Sequence, residues 1–319
     1  MAQNDLISVV IPTYNGSKYI LSTVLSALNQ TYSPIEVIVV DDGSTEDIAA
    51  VLKPVISRIR YIRQENRGPA AARNHGILIS KGSYIAFLDH DDDWATDNIR
   101  GKIDVLKKNS ECAMVYSCPE LIDAVGMPLH KRYNLICPSG WVFEDFLLYN
   151  RIGTFSTALV CRNTFNKVGM LDESPEITCC DDYDMWLRIA DVDKIVFSPD
   201  KNVKYRMHEQ NLLKNHSLSF SSNLKVFRKA LKECSTVSQI PQKKLSNIVN
   251  EHLYKKYWTY AFKFYYDMSN YKMARNLLWH CVKQKPQTLK NWAYLFLCSL
   301  PSSIIVRLRS AKSLMKIKI

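Results

Sequence analysis

The chain has 319 residues, 47% of them hydrophobic and 23% charged, with a formal net charge of +11. That composition excludes a disordered chain and leaves room for one large domain with a sizeable core plus a smaller domain. The charge is divided unevenly: residues 221–319 carry 19 lysines and arginines against Glu233, Glu251 and Asp267, whereas residues 1–220 hold 23 basic and 28 acidic residues. A basic tail suits an anionic surface such as membrane lipid, or forms a solvated helical face; no nucleic-acid recognition motif accompanies it. Met1–Asp5 shows neither a basic n-region nor an apolar h-region, so a cytoplasmic location is expected. Nine cysteines without C-x-x-C spacing are expected as free thiols.

In chain order, "LISVVIPTY" (Leu6–Tyr14) predicts a buried strand stopped by Pro12. Residues Tyr19–Gln30 place Ile20, Val24, Leu25 and Leu28 on one helical face. "IEVIVVDDGS" predicts a second buried strand, "IRYIRQEN" a weaker third, "GPAAARNHGILIS" a helix and "YIAFLD" a fourth strand. This alternation predicts an α/β domain with a mostly parallel sheet. Beyond residue 110, "ECAMVYS", "TALVCR" and "KIVFSP" are candidate strands, and "DDYDMWLRIA" (Asp181–Ala190) starts an amphipathic helix with Met185, Trp186 and Ile189 inward. From about Phe220 the pattern is helical and aromatic-rich. A boundary in the Ser/Asn-rich 215–225 region gives domains 1–220 and 221–319. Trp258, Ala261, Tyr265, Ala274 and Pro286 fall at tetratricopeptide spacing, with Asp267–Asn270 as the turn. A single repeat cannot bury its own apolar face, so it is expected to dock on flanking helices. The run before Pro301 is too short for a bilayer span, and a basic amphipathic segment lying on a membrane surface fits it better.

In open α/β sheets, ligands bind outside the carboxyl ends of the strands. Three such ends carry polar residues: Pro12-Thr13-Tyr14-Asn15, Asp41-Asp42-Gly43-Ser44 and Asp89-His90-Asp91-Asp92. The last belongs to "FLDHDDDW", where four carboxylates repel one another unless water, arginine or a metal ion offsets them. An EF-hand is excluded, because Trp94 and Arg100 stand where its Gly and Glu belong. Asp92 and Asp93 read as caps of the following segment. A divalent cation held by one or two carboxylates plus substrate phosphates fits the remainder, with Mn²⁺ or Mg²⁺ as the ion. Arg67 and Arg73 suit phosphate binding, or serve as counter-ions to Asp41, Asp42 or Asp89. Of Asp181 and Asp182, one reads as an N-cap and the other as a carboxylate able to act as general base on an alcohol.

"VVIPTYNGSKYI", "VIVVDDGSTED", "NRGPAAARNHG", "FLDHDDDW" and "DDYDMWLRIA", in that order, resemble the inverting, GT-A-fold glycosyltransferases of family 2. The resemblance covers roughly residues 6 to 210. It implies a GT-A catalytic domain followed by a small helical domain, and a metal-dependent hexosyl- or N-acetylhexosaminyl-transferase using a nucleotide-sugar, usually a UDP-sugar. By position it implies that Pro12, Thr13 and Tyr14 border the uridine, that Asp42 bonds the uracil and that Arg73 lies near base or phosphates. Asp89-His90-Asp91 is then the D-x-D element, with Asp91 on the metal and Asp89 near ribose or metal. Asp182 is the general base. The family usually has Glu at position 181; Asp181 and Trp186 fall on the acceptor side. "YRMHEQN" (Tyr205–Asn211) resembles the family's late Arg-x-His element, whose basic groups face the diphosphate, with His208 near the metal. A saccharide or glycolipid acceptor in surface polysaccharide or glycolipid synthesis is implied in the same way, with peripheral membrane contact through the basic C-terminal helices.

Two rivals stand beside this reading. A nucleotidyltransferase would carry a Gly-rich loop after the first strand, and "IPTYNGSKY" is not one. A catalytically inactive nucleotide-sugar-binding or docking protein would use the tail as its interaction arm; the joint presence of Asp42, Asp91 and Asp182 argues against it.

Overall fold

The computed structural model describes residues 5–129, 137–200, 202–209, 215–301 and 303–305. Gln210 and Asn211 of the late Arg-x-His segment, and the chain after Ile305, lie outside the described residues. Two compact units emerge: residues 1–214 with 221–239, and residues 215–220 with 240–319.

The first unit follows the expected alternation: β1 (Ile7–Thr13), α1 (Ile20–Leu28), β2 (Ile35–Asp41), α2 (Ile48–Leu52), β3 (Arg60–Arg63), α3 (Pro69–Ile79) and β4 (Tyr84–Phe87). Then come β5 (Asp93–Trp94), α4 (Asn98–Lys108), β6 (Cys112–Ser117), β7 (Glu120–Ile122), α5 (Phe143–Leu148), β8 (Ala158–Cys161), α6 (Thr164–Val168), α7 (Asp181–Val192), β9 (Lys194–Ser198) and β10 (Val203–Arg206). Among the described residues the main sheet runs β3-β2-β1-β4-β8-β6-β9, parallel throughout except for β8. A small sheet of β5, β10 and β7 stands apart from it.

The apolar runs of β1 and β2 are continuous because both faces of the sheet are covered. Val37 and Val39 join Ile20, Val24 and Ile103 of α1 and α4 in one core, whereas Ile38 and Val40 meet Ala72 of α3 on the opposite face. This is the period-two alternation of a strand between two helical layers. Met185, Trp186 and Ile189 of α7 are fully buried, as their spacing predicts. α3 begins with Pro69 at its first turn, where the missing N–H costs nothing. Its small residues let it lie close to the sheet.

In the second unit α8 (His216–Glu233) begins, and α9 (Gln242–Tyr266), α10 (Tyr271–Gln284) and α11 (Leu289–Leu297) follow. α9 and α10 form a hairpin around the 267–270 turn, where the Asn270 side chain caps α10 by accepting from the Met273 N–H (3.1 Å). Ala261, Phe264 and Ala274 are buried at its seam. Phe220 covers it from one side, 5.0 Å from Tyr260, and Tyr294 of α11 from another, 4.6 Å from Phe262. All nine cysteines are free thiols. Among the described residues no helix is long and apolar enough to cross a membrane.

Gly76 of α3 sits against Val10 of β1, and a Cβ there would overlap Val10 Cγ1. Val10 is fully buried and β-branched, so it has little room to move aside. Gly76→Ala is expected to destabilise the first unit by about 1–3 kcal/mol despite the better helix propensity of alanine, measured by chemical denaturation.

Candidate active site

The loops after β1 and β2 are tied together directly. Asn15 donates its N–H to Ser44 Oγ (2.9 Å) and accepts from the Thr45 N–H (2.8 Å), and Ser17 N–H donates to Glu46 (2.9 Å). Gly43 makes the turn possible, since its φ of +76° and its closeness to the Asn66 backbone both disfavour a side chain. Asp42 then gathers the next loop: its carboxylate accepts from the Arg67 N–H (3.0 Å), the Gly68 N–H (2.8 Å) and Gln64 Nε2 (2.8 Å). Asp41 is fully buried and accepts from the Ser44 N–H and the Tyr61 hydroxyl.

Each aspartate after β4 finds a different solution to its charge. Asp89 takes Arg73 (2.6 Å) and the Thr154 hydroxyl (3.0 Å). Asp91 takes His208 Nε2 (2.7 Å). Burial works against its ionisation, but His208 and His90 outweigh that and hold its pKa below the usual value. Asp93 pairs with Arg206. Asp92 is fully buried, accepting from the Ser156 hydroxyl (2.6 Å) and the Arg206 N–H (3.0 Å). Burial, with Asp91 and Asp89 beside it, pushes its pKa well above the carboxylate range. Neither Asp92 nor Asp93 caps α4, whose N-cap position is Asp97. The buried hydroxyls and Arg206 draw them inward instead. Thr23 of α1 secures the turn by donating to the carbonyls of His90 (2.9 Å) and Asp92 (2.8 Å).

Arg73 is the central cation. Its guanidinium bridges Asp89 and Asp181 (3.0 Å) and lies 3.9 Å over the Phe155 ring. Burial opposes its charge, but the two carboxylates more than compensate. It therefore serves as a counter-ion, one of its two expected roles. Arg67 bonds Glu173 (2.7 Å) instead of facing the strand-end aspartates with its side chain.

Cys180, not either aspartate, holds the N-cap position of α7, so Asp181 and Asp182 both lie in the first turn. There the free N–H groups favour negative charge. Burial still pushes Asp181 up to about 6, against the pull of Arg73. Burial and the neighbouring Asp181 push Asp182 up to about 7, despite the hydrogen bond from the Tyr183 N–H (2.6 Å). Asp182 nonetheless keeps a partial opening to solvent.

A cavity of about 590 Å³ brings Pro12, Thr13, Tyr14, Asp42, Arg73, Asp89, His90, Asp91, Asp181, Asp182 and His208 together. Trp186 is not among its walls. It is fully buried behind Phe155, ring centroids 5.3 Å apart, because its position in α7 points into the core. Arg206 also faces inward: its Nε donates to the Asp91 carbonyl (2.8 Å) and its guanidinium lies 4.8 Å over Tyr19. The 153–157 segment was not singled out from the sequence. Gly153, Thr154 and Phe155 line the cavity, and Thr154 and Ser156 hold Asp89 and Asp92. Its small hydroxyl residues just before a strand were the available signal, once four aspartates needed donors.

The glycosyl transferase family 2 model matches residues 8–166. An uncharacterized glycosyltransferase of Rickettsia prowazekii, RP339, is 34% identical over 220 residues, covering 65% of this chain and 67% of that protein. The chain belongs to glycosyl transferase family 2.

Other family relatives include the putative teichuronic acid biosynthesis glycosyltransferase TuaG of Bacillus subtilis, 33% identical over 58% of this chain and 71% of that protein. Chondroitin synthase of Escherichia coli is 34% identical over 58% of this chain and 27% of its own length. Among solved structures, residues 1–349 of S. aureus TarS in complex with UDP-GlcNAc align with a TM-score of 0.62 at 13% identity, covering 96% of this chain and 92% of that one. The mannosyltransferase PcManGT from Pyrobaculum calidifontis, in complex with GDP-Man and Mn²⁺, aligns with a TM-score of 0.62 at 16% identity, covering 99% and 82%. At these identities the likeness is one of fold. The mostly parallel sheet flanked by helices is GT-A in type, with a helical C-terminal region.

In this family 2 domain, Arg73→Met would leave Asp89 and Asp181 facing each other without a cation. The variant is expected to lose about 3 kcal/mol of stability, read from urea unfolding at neutral pH.

Proposed function

We propose that the chain transfers a sugar from a nucleotide-sugar, a UDP-sugar, to an acceptor hydroxyl with inversion at the anomeric carbon. Its setting is the assembly of surface polysaccharide or glycolipid at the cytoplasmic face of the membrane. Asp182 carries the reading: a carboxyl group in the same cavity as Asp42, Asp89 and Asp91, with its pKa raised to about 7, where a general base works best at neutral pH. The names of TuaG and chondroitin synthase support a polysaccharide setting, and the TarS complex with UDP-GlcNAc supports the donor class.

In this reading Pro12, Thr13 and Tyr14 border the nucleoside. Thr13 Oγ1 is buried and has no hydrogen-bond partner among the described residues, which suits a ligand contact. Asp42 retains acceptor capacity beyond its three bonds and can take the N–H of a base. Asp182 removes the proton from the acceptor hydroxyl as that oxygen attacks the sugar opposite the diphosphate, so no covalent enzyme intermediate forms. Asp181, fixed by Arg73, keeps the α7 terminus in place on the acceptor side, and Trp186 backs Phe155 from the core.

The fit of a divalent ion rests on Asp91 and His208. A carboxylate oxygen and an imidazole nitrogen stand 2.7 Å apart on the cavity wall, a donor set suited to Mn²⁺ and acceptable to Mg²⁺. No group of three or more His, Cys, Asp or Glu side chains that could hold a metal is found among the described residues, so Asp91 and His208 would hold the ion together with oxygens of a bound diphosphate. When bound there, the ion neutralises charge on the departing diphosphate.

The deciding experiment is nucleotide release from a panel of UDP-sugars and GDP-mannose with Mn²⁺ and a saccharide acceptor mixture, with the anomeric configuration of the product read by NMR. Release from a UDP-sugar with an inverted product supports the proposal; binding without release from any donor overturns it in favour of a docking protein. Asp91→Asn should remove the Mn²⁺-dependent part of donor binding, measured by calorimetry with and without the ion.

Asp182→Asn should retain donor binding and lower transfer by roughly 10²-fold or more. The wild-type rate at saturating donor should rise with pH through about 7, as the base loses its proton. The same raised pKa means that native stability falls as pH climbs from the unfolded value near 3.8 toward 7. D182N should escape that loss and melt no lower than wild type at pH 8.

A further inference from the structure

α11, "LKNWAYLFL", carries a single charged residue, Lys290. Its inner face, Asn291 and Tyr294 with Cys298 just beyond, is buried in the second unit. At 100° per residue the opposite face bears Leu289, Trp292 and Phe296, which are 82%, 45% and 66% exposed. A helix apolar on both sides is expected to be covered on both, yet these three outer side chains stand exposed among the described residues. The indole N–H of Trp292 already donates to the Pro286 carbonyl (2.8 Å), leaving the hydrocarbon edge of the ring to face outward.

The adjoining helix supplies charge. On α10, Lys272, Arg275 and Lys283 are exposed in one stripe with Trp279. Trp279 meets Trp292 edge to face at 6.3 Å, and Lys283 lies 5.6 Å over the Trp279 ring. The apolar stripe and the basic stripe thus join through two tryptophans. In sequence, the chain after Ile305 adds Arg307, Arg309, Lys312, Lys316 and Lys318 with no acidic residue.

We propose that this face of α10 and α11 seats the chain on a bilayer bearing anionic phospholipid headgroups. Leu289, Trp292 and Phe296 enter the acyl boundary and the basic stripe meets the phosphates. Tryptophan at the headgroup level, aliphatic wedges and flanking lysines are what an interfacial helix needs. Nine residues span about 13 Å, far less than a hydrocarbon core of about 30 Å, so α11 lies in the surface and does not cross it. A second copy of the chain fits this face less well. Residues 221–319 carry 19 basic and three acidic residues, so pairing two such faces would bring like charges together. The inference is independent of the donor and of the chemistry at Asp182.

The test uses the full chain with vesicles of phosphatidylcholine alone or mixed equally with phosphatidylglycerol, read by flotation and tryptophan emission. Wild type should float with the anionic vesicles, shift its emission to the blue and release in high salt. Leu289→Asp/Phe296→Asp, at surface positions, should bind at least tenfold more weakly with an unchanged circular dichroism melt. Lys272→Glu/Arg275→Glu/Lys283→Glu should lose the preference for the anionic lipid. A chain ending at Ile305 should keep part of the binding. Unaltered flotation of the apolar double variant, or complete loss on ending the chain at Ile305, overturns the proposal by assigning attachment elsewhere. So does wild type that ignores vesicles and sediments as a dimer which the apolar variant dissolves.

Discussion

A single guanidinium makes the rest of the site feasible. Arg73 lies almost wholly buried between Asp89, which follows β4, and Asp181, which opens α7. These two carboxylates come from segments 92 residues apart in sequence, and without a cation between them they would drive their loops apart. Charge-assisted bonds to both, in the fork geometry that arginine provides, fix the distance between the two halves of the cavity. Phe155 under the guanidinium plane and Trp186 behind Phe155 make that position rigid. The interior of α7 is thereby connected to the cavity without lining it.

The acidity of the site is consequently graded, although its sequence is uniformly acidic. Asp93 is neutralised by Arg206 and Asp89 by Arg73. Asp92 is withdrawn into a nest of hydroxyl and amide donors, where burial favours its neutral form. Asp91 alone of the four faces an imidazole across the cavity wall. Like charges at neighbouring positions are tolerable because each has a different environment, and environment, not residue type, sets the protonation state. Burial raises both Asp181 and Asp182 at the α7 terminus, but Arg73 bonds the first directly, while the second lacks that bond and keeps a partial opening to solvent.

Much of this was legible in the sequence, and the boundary of legibility has a physical cause. β1, β2 and β4 announce themselves through unbroken apolar runs, because a parallel strand is covered on both faces. Their polar ends therefore locate the cavity. β5, β7 and β10 are two to four residues long and half-exposed, too short to establish a period. Side-chain direction was harder still. Trp186 and Arg206 sit in motifs whose neighbours face the cavity, yet one turns into the core and the other toward Asp93. Periodicity gives α7 an inward face but does not say that Asp181 and Asp182, one turn earlier, escape it. The 153–157 segment stayed hidden because its hydroxyls matter only in relation to aspartates more than sixty residues away.

Large apolar side chains stand exposed on both units, but on α10 and α11 they lie together beside exposed basic residues. In the first unit both faces of the sheet are covered by apolar packing, and the polar strand ends line the cavity. In the second, aromatic residues both fill the seam of the α9–α10 hairpin and stand outward on α10 and α11. Stability alone would favour polar residues at Leu289 and Phe296, since exposed apolar area on a soluble surface invites association. Their presence beside a basic stripe is best understood as surface held ready for a low-dielectric, anionic neighbour. If the proposed acceptor is tethered to a membrane, such a seat would raise its effective concentration at the cavity by confining both to the same surface.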